Sequence, residues 1–257
     1  MPDILSRMAT RVPYLLGIRV LPERMPSEPA YPFNLPFVAK LNLTIQKPVV
    51  FFVGENGTGK STLIEAIAAL SRLPVSGGGR NELADSYGPE RESLLSKALR
   101  PSFRQQPLDG YFLRAEFHAH FASLLDSREL DPDFKGKSPY GLYGGQSLHT
   151  RSNGEAFLAV LQNRIGQGLF LLDEPESALS PQRQLALLAL IYDLVKTGKS
   201  QFLIATHSPI LMTYPDAQII SFDQVPLGST TLEETSHYQI TKGILEQPGS
   251  YWKHLKD

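Results

Sequence analysis

Three short stretches of this chain carry residue types suited to handling phosphate. Gly54, Gly57, Gly59, Lys60 and Ser61 fit the spacing G-x-x-x-x-G-K-[ST], with Glu55, Asn56 and Thr58 completing the turn and Thr62 following it. An apolar run rich in β-branched and aromatic residues, 49–53, precedes the pattern, and a helical stretch, 62–70, follows it. That strand, turn and helix order is the setting the pattern requires. The glycines allow backbone angles that turn several N–H groups onto one concave surface, and a helix N-terminus adds partial positive charge there. Lys60 is expected to reach β- and γ-phosphates and Ser61 to hold Mg²⁺ through its hydroxyl.

The second stretch, 169–175, is apolar at every position until it ends in Asp173 and Glu174, as a strand buried on both faces should read. Asp173 is placed to hold Mg²⁺ through water; Glu174 faces the other side of the pleat and is the candidate to polarise an attacking water. The third stretch, Thr206-His207-Ser208-Pro209, ends a buried-type strand over 201–205 and delivers His207 to the same sheet edge. Taken singly, an acidic strand end is often an ordinary turn and one histidine is usually structural. The phosphate loop upstream and the shared edge favour the functional reading.

The elements that must position these residues are legible in outline. Residues 14–21 read as a strand, 22–36 as a proline-rich connection and 41–45 as a second strand. Only Gln46, Lys47 and Pro48 separate the latter from 49–53, too few for a parallel crossover, which predicts an antiparallel β-layer at the N-terminal end. Tyr31 and Phe33, shortly upstream of the phosphate loop, are alternatives for stacking on an adenine ring, against the reading of an aromatic packed under a loop. Residues 75–80 form a glycine-rich loop, 89–99 a helix candidate closed by Pro101, and 111–115 the next core strand.

Glu116 then opens a helical stretch to 125. His118 and His120 within it face apart at i, i+2, which argues against a zinc pair. Residues 126–151 lack periodicity. Ser152 and Glu155 have capping-box spacing at the start of a helix over 156–165, and a helix N-terminus is also an anion site. Ser180 and Pro181 are the N-cap and first residue of a helix to 196, whose Leu185, Leu188, Ala189, Tyr192 and Val195 are expected to face the sheet. A strand over 218–222 follows, and 238–257 reads as a short strand and helices, with no chemistry assigned to Trp252 or His254. The sum is one α/β domain over 1–257 with a mostly parallel core sheet, an antiparallel N-terminal β-layer, and residues 74–160 as a small helical lobe or insertion.

Composition narrows the class. A chain of 257 residues with 42% hydrophobic and 20% charged side chains can bury a sizeable core. The net charge of −1 gives no global pull toward nucleic acid or anionic membrane, and a local basic patch is still compatible with it. With no cysteine there is no disulfide, thiolate metal site or cysteine nucleophile, as suits a reducing compartment. The first dozen residues lack an apolar core and no apolar run approaches a membrane span, so a cytoplasmic protein is expected.

Together, Gly-Glu-Asn-Gly-Thr-Gly-Lys-Ser-Thr, Leu-Leu-Asp-Glu-Pro-Glu-Ser-Ala-Leu-Ser-Pro and Thr-His-Ser-Pro resemble the ABC-class P-loop ATPases. The closer resemblance is to stand-alone bacterial AAA-labelled ATPases related to the SMC and RecF-type ATP-binding heads, over about 41–222. The resemblance implies a Mg²⁺-dependent ATPase whose heads dimerise head to tail around two ATP molecules and act on a further protein partner. It implies that Ser152, Asn153 and Gly154 cap the partner copy's γ-phosphate, that 177–180 crosses the interface, and that His207 contacts the γ-phosphate. The chain departs from the family where Ser-Asn-Gly-Glu replaces the longer signature and where no glutamine follows strand 111–115. Glu116 or Gln146 is left for that metal-linked role. Alternative roles are a nucleotide-gated binding module with little hydrolysis and the ATPase subunit of a transporter.

Overall fold

The computed structural model describes residues 12–80, 92–114, 125–126, 129–130, 138–142, 145–147, 150 and 153–256. Its centre is a sheet of seven strands. Val49–Val53 (β3) lies between Ser200–Ala205 (β8) and Gln218–Ser221 (β9); beyond β8 come Gly168–Asp173 (β7), Gly110–Arg114 (β6) and the two-residue Gly78–Gly79 (β4), and beyond β9 comes Gly228–Thr230 (β10). The pairings β3–β8, β3–β9, β6–β7 and β7–β8 are parallel, while β4 and β10 close the edges antiparallel. The expected neighbourhood of 49–53, 169–173 and 201–205 is therefore present.

The apolar runs of these strands have partners on both faces. Val49, Phe51 and Val53 pack with Phe170, Phe202 and Ile204 on one face, beneath Asn153–Arg164 (α2) and Pro181–Lys196 (α3). Val50 and Phe52 alternate to the other face, where Lys60–Leu70 (α1) contributes Leu63, Ile64 and Ile67. The second, antiparallel sheet covers that same face. It consists of Leu15–Val20 (β1) between Asn42–Thr44 (β2) and Leu99–Phe103 (β5), and it contributes Leu15, Ile18, Leu43 and Leu99 to the core.

Several expectations are corrected. Residues 89–99 are not a helix where described: a short 3-10 turn, Leu95–Ala98, leads into β5, and Pro101 is paired with Ile18 inside that strand. An edge strand tolerates proline, because one row of its N–H groups faces no neighbour. The described parts of 74–160 accordingly include three strands, β4, β5 and β6, alongside α2, and the helix expected over 116–125 lies almost wholly outside the described residues. On α3, Leu188 and Val195 pack against the core as expected, but the buried residues are Gln184, Leu187 and Ile191, and Leu185 and Tyr192 are exposed. This helix is apolar nearly all round, so spacing alone does not choose its inward face. The chain end holds Ser236–Glu246 (α4) and Pro248–Lys256 (α5), and the strand expected after 238 occurs earlier, as β10.

The two sheets are joined by a buried amide. Gln201 of β8, fully buried, accepts from Leu15 N at 2.9 Å and donates to Leu15 O at 3.0 Å. Tyr14 Oη also donates to Lys199 O. Replacing Gln201 by leucine strands both polar groups of Leu15 in an apolar layer, at a cost of about 1–3 kcal/mol each. Gln201→Leu is expected to lower the unfolding free energy by about 2–4 kcal/mol, read as a lower urea midpoint at unchanged slope.

Candidate functional site

β3 runs straight into the phosphate loop. Gly54, Gly57 and Gly59 have φ of 144°, 80° and 97°, and a Cβ on Gly59 would lie 2.7 Å from Phe37 Cε1 and 2.8 Å from Leu35 Cδ1. Strain and space both demand glycine there. Lys60 opens α1 with only 4% of its surface exposed. Its Nζ donates to Gly54 O at 2.7 Å and Glu55 O at 2.9 Å. Burial pulls its pKa below the usual lysine value, and Glu174, Asp223 and Asp173 oppose that pull. Asp223, just beyond β9, fixes the loop by accepting from Glu55 N at 2.8 Å. Glu55 and Asn56 are exposed on the rim, where Thr58 Oγ1 donates to Glu55 O.

Ser61 Oγ donates to Asp173 Oδ1 at 2.9 Å, joining the start of α1 to the end of β7. Asp173 is 5% exposed, and burial pushes its carboxyl up to about 6 although Arg114 and Ser61 pull the other way. Arg114, at the end of β6, lies with Nε 3.6 Å from Asp173 Oδ2 and pairs its Nη1 with Glu65 of α1. These are hard oxygen donors of the kind Mg²⁺ takes, one hydroxyl and one carboxylate, with room left to phosphate and water oxygens.

Glu174 sits in the left-handed region at φ 49°, ψ 52°. A residue other than glycine adopts that conformation at a cost, and such strain concentrates at functional sites. The turn leaves its carboxylate 42% exposed, with Oε1 3.4 Å from His207 Nε2. His207 is held in turn from three directions. Its N–H donates to Glu176 Oε1 at 2.6 Å, and its Nδ1 lies 2.8 Å from His237 Nε2. The next residue, Ser208, donates through Oγ to Gln184 Oε1, and Gln184 Nε2 donates to Leu179 O. Burial lowers the pKa of the His207 ring, reinforced by Lys60 and His237. Burial likewise raises that of Glu176.

Lys60, Ser61, Asp173, Glu174 and His207 are thus brought to one sheet edge with the glycine loop, as their spacing predicts. Thr62 meets Tyr31 through a 2.9 Å hydroxyl contact; the Tyr31 ring is exposed whereas Phe33 packs into the core. Glu116 and Ser152 lie outside the described residues, as does the side chain of Asn153. Gly154 is packed on its own chain: a Cβ there would meet Arg183 Nη1 at 2.5 Å and Ala178 O at 2.9 Å. Gln146 is exposed and, among the described residues, makes no hydrogen bond to these carboxylates. Sequence reasoning passed over Arg114, Glu65, Asp223, Glu176, Gln184 and His237. Only Glu176 had a visible signal, as the third carboxylate of Asp-Glu-Pro-Glu.

The charge on Asp173 works against the fold. Its pKa is about 6 when folded against an ordinary 3.8, so the folded protein holds the proton more tightly and loses stability as pH rises through that interval. An asparagine side chain at this position would carry no charge to desolvate. Without ligands, Asp173→Asn is expected to be more stable by about 2 kcal/mol at pH 8, with little gain at pH 4. Urea unfolding at the two pH values checks this.

Comparison with known proteins bears on the fold and the class. A family model described as "AAA domain, putative AbiEii toxin, Type IV TA system" matches residues 150–213, and one described as "AAA domain" matches 33–80. The energy-coupling factor transporter ATP-binding protein EcfA2 of Symbiobacterium thermophilum is 26% identical over 211 residues, 75% of this chain and 70% of the relative. The translation initiation factor RLI1 of Saccharomyces cerevisiae is 24% identical over 80% of this chain, which spans 31% of that longer protein. The solved structure of a putative metal-chelate type ABC transporter in an inward-facing conformation superposes with a TM-score of 0.51 at 18% identity, over 89% of this chain and 88% of that one, a likeness of fold. The two AAA-domain matches, these relatives and the likeness of fold, together with the ordered phosphate-loop, acidic-strand and histidine motifs, support an ABC-class P-loop ATPase.

Proposed function

We propose that this chain binds ATP with Mg²⁺, hydrolyses it to ADP and phosphate, and does so as a pair of copies closed head to tail around two nucleotides. The observation that carries the reading is the meeting, at one edge of three adjacent parallel strands, of the Ser61–Asp173 contact, the Glu174–His207 contact and the Lys60 ammonium. The loop amides and Lys60 bind the β- and γ-phosphates. Ser61 and Asp173 would hold Mg²⁺, which neutralises charge developing on the transferred phosphoryl group. Glu174 orients the attacking water and draws its proton, and His207 Nε2 donates to a γ-phosphate oxygen. Tyr31, exposed beside Thr62, supplies the adenine-stacking face in preference to the packed Phe33.

Pairing follows from what one copy leaves open. The start of α2, with Gly154 against Ala178 and Glu155 3.1 Å from Arg183, packs on its own 175–178 turn. Its N-terminal amides are suited to a phosphate on a second copy. ATP then touches both copies while ADP lacks the clamped group, so the pair forms with ATP and parts after hydrolysis. The process driven is that of a further protein partner, in the cytoplasm. Among the described residues no helix is long and apolar enough to cross a membrane. The name of the EcfA2 relative favours a second role, as the ATP-binding subunit of a transporter; the short Ser-Asn-Gly-Glu signature argues against that role.

Lys60→Ala is expected to abolish ATP binding. Glu174→Gln should bind ATP normally and turn over about 100-fold or more slowly, as nucleotide titration and phosphate release would show. Unchanged turnover in Glu174→Gln removes the assignment of Glu174. In solution, Glu174→Gln with Mg²⁺ and ATP is expected to double in mass, and to stay single with ADP or after adding Ser152→Arg. A mass indifferent to nucleotide rules out the paired mechanism.

A further inference from the structure

The contact between His207 and His237 has no counterpart in the motifs that define the site, and its position is built rather than incidental. His237 lies in the first turn of α4, whose start is fixed by two successive caps. Thr231 and Glu234 form a reciprocal capping box, with Thr231 N donating to Glu234 Oε2 at 3.0 Å. Thr235, buried, then caps α4 by accepting from Tyr238 N. Leu232, between them, packs against the core beneath α2 and α3. The imidazole so placed meets the His207 ring at a centroid distance of 4.8 Å, tilted by 59°.

We propose that His237 is a positioning residue that sets the tautomer of His207, so that the His207 Nε2 facing Glu174 and the nucleotide carries a proton. The reasoning is a count of protons. A hydrogen bond 2.8 Å long between two imidazole nitrogens holds one proton, on His207 Nδ1 or on His237 Nε2. His207 Nε2 faces an acceptor, Glu174 Oε1, at 3.4 Å, and a phosphate oxygen is an acceptor as well. Nε2 is buried with no hydrogen-bond partner among the described residues, so these acceptors favour a proton there without themselves fixing it. A neutral ring has one N–H, and the ring's one side-chain hydrogen bond is at Nδ1: with His237 Nε2 as the donor there, Nδ1 accepts and the proton is held on Nε2. The burial of His207 between Lys60 and His237 favours that neutral ring. His237 gives the same answer whether neutral or protonated, because a protonated imidazole still donates from Nε2. The role assigned to His207 at the γ-phosphate rests on the hydrolytic reading above; its tautomer does not.

The experiment is nitrogen-15 NMR of the imidazole rings, with the His207 signals identified by their loss in His207→Gln, combined with ATP turnover. In the intact protein His207 should show a protonated Nε2 and an unprotonated Nδ1. His237→Phe keeps a ring but removes the donor, and His207 should move to the Nδ1–H form or a mixture. His237→Gln returns an N–H donor near the same point and should restore the Nε2–H form. Loss of an orienting partner of a functional histidine costs roughly 10- to 100-fold. Turnover is thus expected to fall by about tenfold or more in His237→Phe with ATP affinity within about twofold, and to recover largely in His237→Gln. An unchanged His207 tautomer in His237→Phe overturns the proposal, as does a His237→Gln protein no better than His237→Phe in both measurements. If the intact protein hydrolyses no ATP, the hydrolytic reading fails while the tautomer measurement still decides this one.

Discussion

β3, β8 and β7 pair in parallel with Phe52 opposite Ala205 and Ala205 opposite Asp173, and the whole site depends on that row. Just beyond it the chain turns, at Gly54 two residues past Phe52 and at Thr206 and Glu174 one residue past Ala205 and Asp173, so three loops begin near one level and face one space. Side chains alternate along a strand, and a slip of one residue would send Asp173 into the opposite layer and withdraw it from Ser61. Register is secured because both faces are buried: phenylalanines 51, 170 and 202 fill one side, and Phe52, Leu171 and Leu203 the other. The hydrophobic effect thus does the aligning, and the polar chemistry is attached to the ends of strands whose positions it does not determine.

Around this edge, charges are buried that a fold alone would not choose. Lys60, Arg114, Asp173 and Glu176 are all largely withdrawn from water, and burial displaces three of them from their ordinary pKa in the direction of neutrality. Each is partly compensated: Lys60 by loop carbonyls, Asp173 by Ser61 and Arg114, Glu176 by the His207 N–H. Partial compensation keeps these groups responsive. A carboxylate satisfied entirely by arginine would have little left to offer a cation, and an ammonium locked in a strong ion pair would not trade its partner for phosphate. Stability is given up locally for preorganised electrostatics.

What could be read in the sequence follows from the range of each interaction. The glycine loop, the acidic strand end and the histidine turn were legible because local residue types at fixed spacing specify both backbone and chemistry. The core strands were legible because continuous apolar runs need cover on both faces. The edge strand β5 was not, since Pro101 reads locally as a stop and only the sheet order shows that it faces no partner on its N–H side. The inward face of α3 was equally hidden in a helix with leucine, alanine or isoleucine on every side. Arg114, Asp223 and His237 come from 59 residues before Asp173, from just beyond the strand next to β3 and from the last helices of the chain; each gains meaning only through a contact across the fold.

Three parts of the site lean on the turn after Glu174. Glu176 holds the His207 backbone, and Leu179 O receives Gln184, which in turn receives Ser208. Ala178 meets Gly154 at the start of α2. Strand β7 therefore delivers more than two carboxylates: its exit fixes the height of the histidine loop and packs against the start of α2. Glu174 is the strained residue of that exit, and its left-handed backbone is sustained by a bond from its own N–H to Ala205 O and by Ser177 Oγ donating to its carbonyl. A shift of Glu174 toward an ordinary backbone conformation would loosen all three contacts together. The Glu174 carboxylate, His207 and the start of α2 are for that reason coupled mechanically through one turn.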